Sequence, residues 1–235
     1  MKFALIAPLW ASTLVLQYRL SYHMVLSQYA GDDSDYVRFY ARAHERGDFI
    51  IVDNGAAEHA GLPFGQVLAA AERVDADEIC MPDVLDDGPA TARATWDAAH
   101  FVPPCKRMLI PQGKTWGEWS ACLQQLEEIG GRSIGIAKRY EALAGGRAHA
   151  LRLIHDLGLT RKYDIHLLGF YEDPLRELSH IKAMQMPVRG VDSGAPIAYA
   201  QHSMALHSGH ASLDWDAPIP LERIELNLEA ILACM

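Results

Sequence analysis

The sequence has little of what marks several common protein classes. Its four cysteines (Cys80, Cys105, Cys122 and Cys234) are scattered and form no Cys-x-x-Cys pair. Neither a disulfide framework nor a zinc knuckle fits this pattern, so we expect reduced thiols in a cytosolic protein. No apolar run approaches the ~20 residues that cross a bilayer, so we expect no membrane partner. No linker or shift in composition divides the chain, which predicts one domain over residues 1–235.

Positive charge is also scarce, since 21 Lys and Arg are set against 30 Asp and Glu and the formal net charge is −9. This balance argues against a protein that binds nucleic acid through general positive charge. Residues 132–189 differ, with ten basic and six acidic side chains, a local charge of +4 that leaves −13 on the rest. Two interpretations stay open for this segment. It forms one basic face that binds a polyanion at the mouth of a barrel, or ordinary solvated helix faces.

One pair of histidines, His207-x-x-His210, has a spacing that metal sites use. It lies in a stretch rich in Ser and Gly, without a neighbouring cysteine or pair of carboxylates. A solvated loop explains the pair better than a zinc site does, so we predict no metal.

Short apolar runs typical of β-strands recur at regular spacing. They cover residues 2–7, 49–53, 78–82, 107–111, 133–137, 164–169 and 187–191, and from the second run onward they start 23 to 31 residues apart. Helix-type stretches lie between them, at 34–46, 64–74, 88–99, 115–129, 141–157 and 173–184, and a closing helix follows at about 220–233. This alternation predicts a parallel sheet. An eighth strand near 203–216 would complete an α/β fold of the (β/α)8 TIM-barrel type in a single domain.

The longest interval between predicted strands, residues 8–48, contains the aromatic residues Tyr18, Tyr22, His23 and Tyr29. Extra chain at the mouth of a barrel usually forms a lid or a loop that contacts substrate. The alternative is a packed helix whose aromatic side chains belong to the core.

Carboxylates stand at the ends of three apolar runs, where Asp53, Asp83 and Asp192 follow the runs that begin at residues 49, 78 and 187. A charged group at the end of a buried strand loses hydration, and in a parallel barrel these strand ends surround the active site. We therefore expect the three aspartates to share one catalytic pocket. Each aspartate taken alone is equally well explained as a helix N-cap.

Small and amide residues stand at or within the apolar runs. Asn54 comes directly after Asp53, and Gln112 and Gly113 follow the run 107–111. Gly135 lies inside the run 133–137, and Gly169 ends the run 164–169. A carboxylate, an amide and glycine N–H groups can together bind the edge of a guanine-like base. The carboxylate accepts from N1–H and the exocyclic amine, while the amide and the backbone donate to O6. Two further carboxylates suit reaction at an anomeric carbon, one as the nucleophile and one as the proton donor and acceptor.

The succession of these motifs resembles the tRNA-guanine transglycosylases, and most closely their compact phage-type branch, which inserts 7-deazaguanines into DNA. Ile51–Gly55 is similar to the family's Leu-Asp-Ser-Gly-Gly, Ile110–Gly113 to Val-Gln-Gly-Gly, Gly135–Ala137 to Gly-Leu-Ala, His166–Gly169 to Tyr-Leu-Met-Gly, and Val191–Ser193 to Phe-Asp-Cys. Pro82-Asp83 stands where the family has an aspartate that binds the base. The resemblance covers roughly residues 49–200.

The resemblance implies a pentosyltransferase that needs no cofactor and forms a covalent intermediate. Asp192 would be the nucleophile and Asp53 the residue that transfers the proton. The base-binding residues would be Asp83, Gln112, Gly113, Gly135, Asn54 and Gly169. Lys138, Arg139 and Arg189 are candidate phosphate contacts, with solvated surface as the alternative for each. The partners would be DNA and a base such as 7-cyano-7-deazaguanine, in the cytoplasm of a phage-infected or bacterial cell, and association into a homodimer is left open.

Two departures from the family shape this expectation. The family's tRNA enzymes carry a Cys-x-Cys-x-x-Cys…His zinc site in a C-terminal extension, but only Cys234 follows Asp192 here, so we predict that the zinc subdomain is absent. Gln201 replaces the arginine that closes the family's nucleophile segment. Loss of the zinc subdomain favours DNA over tRNA as the polymer. The alternatives are a tRNA-specific enzyme, a hydrolytic glycosidase or other barrel lyase, and a non-catalytic partner subunit that binds nucleic acid.

Overall fold

The computed structural model describes residues 1–31, 34–56, 62–101 and 105–235. Within these ranges the strands are β1 (Lys2–Leu5), β2 (Tyr22–Leu26), β3 (Phe49–Asp53), β4 (Glu78–Cys80), β5 (Lys106–Leu109), β6 (Ser133–Ala137), β7 (Asp164–Leu168) and β8 (Val188–Ser193). The α-helices there are α1 (Ser12–Gln17), α2 (Asp35–Glu45), α3 (Phe64–Arg73), α4 (Gly88–Ala99), α5 (Trp116–Ile129), α6 (Gly146–Asp156), α7 (Pro174–Ala183), α8 (Ala195–Gln201) and α9 (Leu221–Cys234). Across the described ranges, none of the helices is long and apolar enough to cross a membrane.

The eight strands form one parallel sheet in the order β1-β8-β7-β6-β5-β4-β3-β2. Strand β1 also lies beside β2, so the two ends of the sheet approach each other. The sheet is therefore a nearly closed barrel surrounded by helices, and the predicted TIM-barrel fold is confirmed.

The predicted position of the eighth strand is wrong. The missing strand is β2, within the interval 8–48, whereas residues 203–216 form turns and irregular chain after α8. Helix α1 has only six residues, so the first strand–helix–strand unit is shorter than the repeat spacing predicts. Tyr22 and His23 therefore belong to a barrel strand, not to a lid or a packed helix.

Side chains alternate along each strand between the barrel interior and the layer of helices, as period-two geometry requires. The interior cluster consists of Ala4, Tyr22, Met24, Ile51, Cys80, Met108 and Ile110. Their strand neighbours, such as Leu5, Val25 and Val52, pack against the helices in the larger core. A Cβ atom on Gly190 would lie 2.6 Å from the ring of Tyr22, so a glycine is required where this tyrosine enters the barrel.

Candidate active site

The carboxyl ends of the strands surround a cavity of about 760 Å³. This volume lies within the range of small-molecule sites, which measure roughly 300–1,000 Å³. Asp53, Asp83 and Asp192 all line the cavity, so the structure brings the three predicted aspartates together. The loop after α8 contributes another part of the wall, through residues 210–213 and Trp215.

None of the three aspartates is a helix cap. The N-cap residues of the helices that follow them are Pro63 for α3, Asp87 for α4 and Gly194 for α8. Asp87 makes the capping bond to the backbone N–H of Ala90, which leaves Asp83 to other contacts. The N-cap alternative is therefore excluded for all three carboxylates.

Asp192 lies near the end of β8 and its residue is only 4% exposed. Its Oδ1 atom is 2.8 Å from Nε2 of His166, which is fully buried on the neighbouring strand β7. A buried carboxylate needs such a partner to stay charged, because desolvation penalises the ionised form. The pair holds Asp192 in a fixed orientation at the bottom of the cavity.

His166 starts a series of contacts that the sequence analysis did not predict. Its Nδ1 atom is 2.8 Å from the hydroxyl of Tyr22, which also accepts from Nε of Arg189 at 3.0 Å. Arg189 forms an ion pair with buried Glu78, and Ser133 donates to the other oxygen of Glu78 at 2.5 Å. The sequence signal for these residues is the alternation of polar side chains along each strand, but their contacts depend in addition on which strands pair and in what register.

Asp83 is held by two amides. Nδ2 of Asn54 donates to its Oδ1 atom at 2.7 Å, and Nε2 of Gln112 donates to its Oδ2 atom at 2.5 Å. Gln112 is fully buried and is itself fixed by the hydroxyl of Tyr140, which donates to Oε1 at 2.9 Å. Burial raises the pKa of Asp83 to about 6, although the two amides and Arg139 act in the opposite direction. The three polar side chains form one rigid array on the cavity wall.

Asp53 ends β3, and its Oδ2 atom accepts from the backbone N–H of Gly55 at 3.0 Å. The Cys80 thiol lies in the barrel interior near these carboxylates. Burial raises the pKa of Cys80 well above its usual value, and the charges of Asp53, Glu78, Asp192 and Asp83 raise it further. Asp53, Asp83 and Asp192 line the cavity, whereas Glu78 does not.

The predicted glycines separate into two groups. Gly169 lines the cavity with a φ of +67°, a conformation that side chains rarely adopt. Gly113 donates its N–H to Tyr140 at 3.0 Å, and Gly135 packs inside the barrel against Leu168 and Met108. Neither Gly113 nor Gly135 lines the cavity, so their predicted contacts with a base are not brought into place.

The three candidate phosphate contacts do not lie together. Lys138 and Arg139 line the cavity, and Arg139 forms an ion pair with Asp86 across the mouth. Arg189 is near the start of β8, at the opposite end of the strands, where it contacts Glu78 and Tyr22. Arg189 therefore does not share a phosphate-binding surface with Lys138 and Arg139.

A buried arginine supports the cavity wall from behind. Arg147 is fully buried in α6, and its Nε donates to Glu177 of α7 at 2.6 Å. Its guanidinium also donates to the carbonyls of Ile136, Leu168 and Gly169, at 3.1, 3.3 and 2.8 Å. One side chain thereby joins the ends of β6 and β7 next to the cavity. One of the ten basic residues of segment 132–189 is therefore buried and contributes no positive charge to the surface.

The two histidines whose spacing resembles a metal site are His207 and His210. Both are exposed, and His210 lies at the cavity wall. Among the described residues, no group of three or more His, Cys, Asp or Glu side chains is arranged to hold a metal ion.

A scan of the sequence against protein-family models finds no match, and a search among curated proteins finds no significant relative.

Proposed function

We propose that this protein is a base-exchange transglycosylase that replaces guanine in DNA with a 7-deazaguanine derivative. The observation that carries the proposal is the buried Asp192, which is held through one oxygen by His166 in a cavity shared with Asp53 and Asp83. A nucleophilic carboxylate, a second carboxylate for proton transfer and a polar array for a base are the parts that this chemistry requires. A non-catalytic partner subunit would need none of this arrangement.

The first half of the reaction breaks the bond between the sugar and guanine. An oxygen of Asp192 bonds to C1′, the C1′–N9 bond breaks, and its electron pair remains on the base. Asp53, in its protonated form, transfers a proton to the departing guanine. The result is a covalent glycosyl–enzyme ester with inverted configuration at C1′.

The second half reverses these steps with a new base. Asp53, now a carboxylate, removes the N9 proton of the incoming 7-deazaguanine, whose N9 attacks C1′ and releases Asp192. Two inversions give overall retention. Water must be excluded while the ester exists, because hydrolysis would leave an abasic site.

The array of Asp83, Asn54 and Gln112 suits a guanine-type base. Asp83 accepts from N1–H and the exocyclic amine, because each of its oxygens retains a lone pair beyond the amide bond that it accepts. Gln112 has a second Nε2 hydrogen for O6. A base in this cavity must leave its stack, so the substrate is a flipped nucleotide or a single strand.

The second candidate for the polymer is tRNA. At the mouth, Lys138 and the Arg139–Asp86 pair are the charged groups available to a phosphate backbone, and they do not separate DNA from RNA. The choice of DNA depends on the resemblance to the compact branch of the family.

Base exchange can be measured directly. The purified protein is incubated with radioactive guanine and, in parallel, with guanine-containing DNA oligonucleotides or unmodified tRNA. We expect label in the DNA and its release when 7-cyano-7-deazaguanine is added. Label in tRNA alone would identify the second candidate. Strand ends or abasic sites without exchange would instead indicate a hydrolytic glycosidase, and no reaction with either polymer would contradict the proposal.

The pKa of Asp83 predicts how base binding depends on pH. Only the ionised carboxylate accepts two hydrogen bonds from the base, and burial raises the pKa of this group to about 6. Affinity for 7-cyano-7-deazaguanine should therefore be nearly full about one pH unit above this pKa, halved at the pKa, and about tenfold weaker at pH 5 than at pH 8. Calorimetric titration across this range measures it. Asp83→Asn should bind weakly at every pH, and a parent affinity that is flat with pH would exclude Asp83 as the acceptor.

A further inference from the structure

A continuous series of hydrogen bonds crosses the barrel interior behind the cavity. It runs from Asp192 through His166 and Tyr22 to Arg189, with donor–acceptor distances of 2.8, 2.8 and 3.0 Å. His166 is fully buried and Tyr22 is 2% exposed. Each polar atom in this series must therefore find its partner within the protein.

The donors available fix the direction of the series. Arg189 can only donate, so the Tyr22 oxygen accepts from it and gives its own hydrogen to Nδ1 of His166. The single hydrogen of a neutral imidazole then lies on Nε2, which donates it to Asp192. An imidazolium would donate from both nitrogens. That would leave the Tyr22 hydroxyl hydrogen without an acceptor among the residues that the structure describes, at the cost of an unpaired buried group.

We propose that His166 is a positioning residue, locked by Tyr22 and Arg189 as the neutral Nε2–H tautomer, which aims the nucleophilic carboxylate of Asp192. The role rests on the proposed transglycosylase function. By occupying Oδ1, the imidazole leaves Oδ2 for attack on C1′. A neutral donor orients the carboxylate without pairing it with a full positive charge, which would reduce its nucleophilicity.

The contacts of Arg189 at the amino-terminal end of the barrel explain why the series of hydrogen bonds keeps this direction. Arg189 is paired with Glu78, and Ser133 donates to the second oxygen of Glu78, so the guanidinium cannot turn away from Tyr22 at no cost. The polar residues Arg189 and Glu78 at the amino-terminal end thereby act on a residue at the catalytic end. They have this role although neither lines the cavity.

The tautomer can be observed without any activity. Nitrogen–proton correlation spectra of protein with ¹⁵N-labelled histidine distinguish Nε2–H, Nδ1–H and imidazolium forms, and His166→Gln assigns the signal among the eleven histidines. We expect Nε2–H in the parent at neutral pH and a mixture of tautomers or protonation states in Tyr22→Phe. An imidazolium or Nδ1–H form in the parent, or an unchanged signal in Tyr22→Phe, would overturn the proposal even if no base exchange were found.

Kinetics separate positioning from simple support of the fold. A hydrogen bond to a charged group predicts a loss of roughly 10- to 100-fold in kcat for His166→Leu and Tyr22→Phe, with KM for the free base unchanged. His166→Gln, which keeps a donor, should recover part of this loss. Tyr18→Phe is the matched control, because it removes an exposed bond to Glu229 and should leave kcat unchanged. Equal losses in kcat for the Leu and Gln variants, with intact thermal unfolding, would refute the positioning role.

Discussion

Asp192→Asn is expected to abolish base exchange, with a fall of at least about 10⁴-fold, the order expected when a covalent nucleophile is removed. The substitution is nearly isosteric, and the amide oxygen of asparagine can still accept from Nε2 of His166. The fold should therefore survive while the nucleophile is lost. The measurement is a denaturing gel after incubation with a guanine-containing oligonucleotide and 9-deazaguanine. The parent protein should give a covalent adduct and the variant none.

Two further variants make this result specific. Asp156→Asn removes an exposed carboxylate at the end of α6, away from the cavity, and should behave as the parent. Asp53→Asn should fail with guanine but form the adduct with an oligonucleotide that contains 7-methylguanine, because that base departs as a neutral species without a proton from the enzyme. An adduct that persists in Asp192→Asn would refute the assignment of the nucleophile.

The fold could be predicted because short apolar runs alternate regularly with helix-type stretches along the sequence. Runs such as 49–53 and 133–137 coincide with β3 and β6, since buried parallel strands are almost continuously apolar. Strand β2 was missed because Tyr22 and His23 interrupt that pattern and the preceding helix is too short for the usual spacing. The spacing of the apolar runs reflects the average length of a strand–helix unit in the barrel. A unit that is much shorter than this average is therefore mistaken for an insertion.

The cavity residues were predictable to the extent that they stand at strand ends. Asp53, Asp83 and Asp192 meet because the carboxyl ends of parallel strands lie at the same edge of the sheet. By the same logic Arg189, near the start of β8, lies at the opposite edge of the sheet from these aspartates. His166 required knowledge of the pairing between β7 and β8, and that register contains an irregularity at residues 165–166 which no sequence pattern reveals.

Arg147→Met is expected to lower the free energy of unfolding by about 3–5 kcal/mol, the range for a buried ion pair that loses one partner. The variant leaves Glu177 buried without its cation and removes donors from the carbonyls of Ile136, Leu168 and Gly169. Urea unfolding measures the loss. Arg152→Met, on the exposed side of the same helix, is the matched control and should stay within about 0.5 kcal/mol of the parent.

The pH dependence of the stability that Arg147→Met loses identifies the cause of the loss. Burial already raises the pKa of Glu177, and Arg147 is the main influence that lowers it. Without the arginine the pKa of Glu177 rises further, so the folded state binds a proton that the unfolded state releases. Stability should therefore fall as pH rises, and the deficit of Arg147→Met should be larger at pH 8 than at pH 5. Adding Glu177→Leu to Arg147→Met removes the unpaired charge and should restore much of the deficit at pH 8. A deficit that is independent of pH would instead assign the effect to the three lost carbonyl contacts.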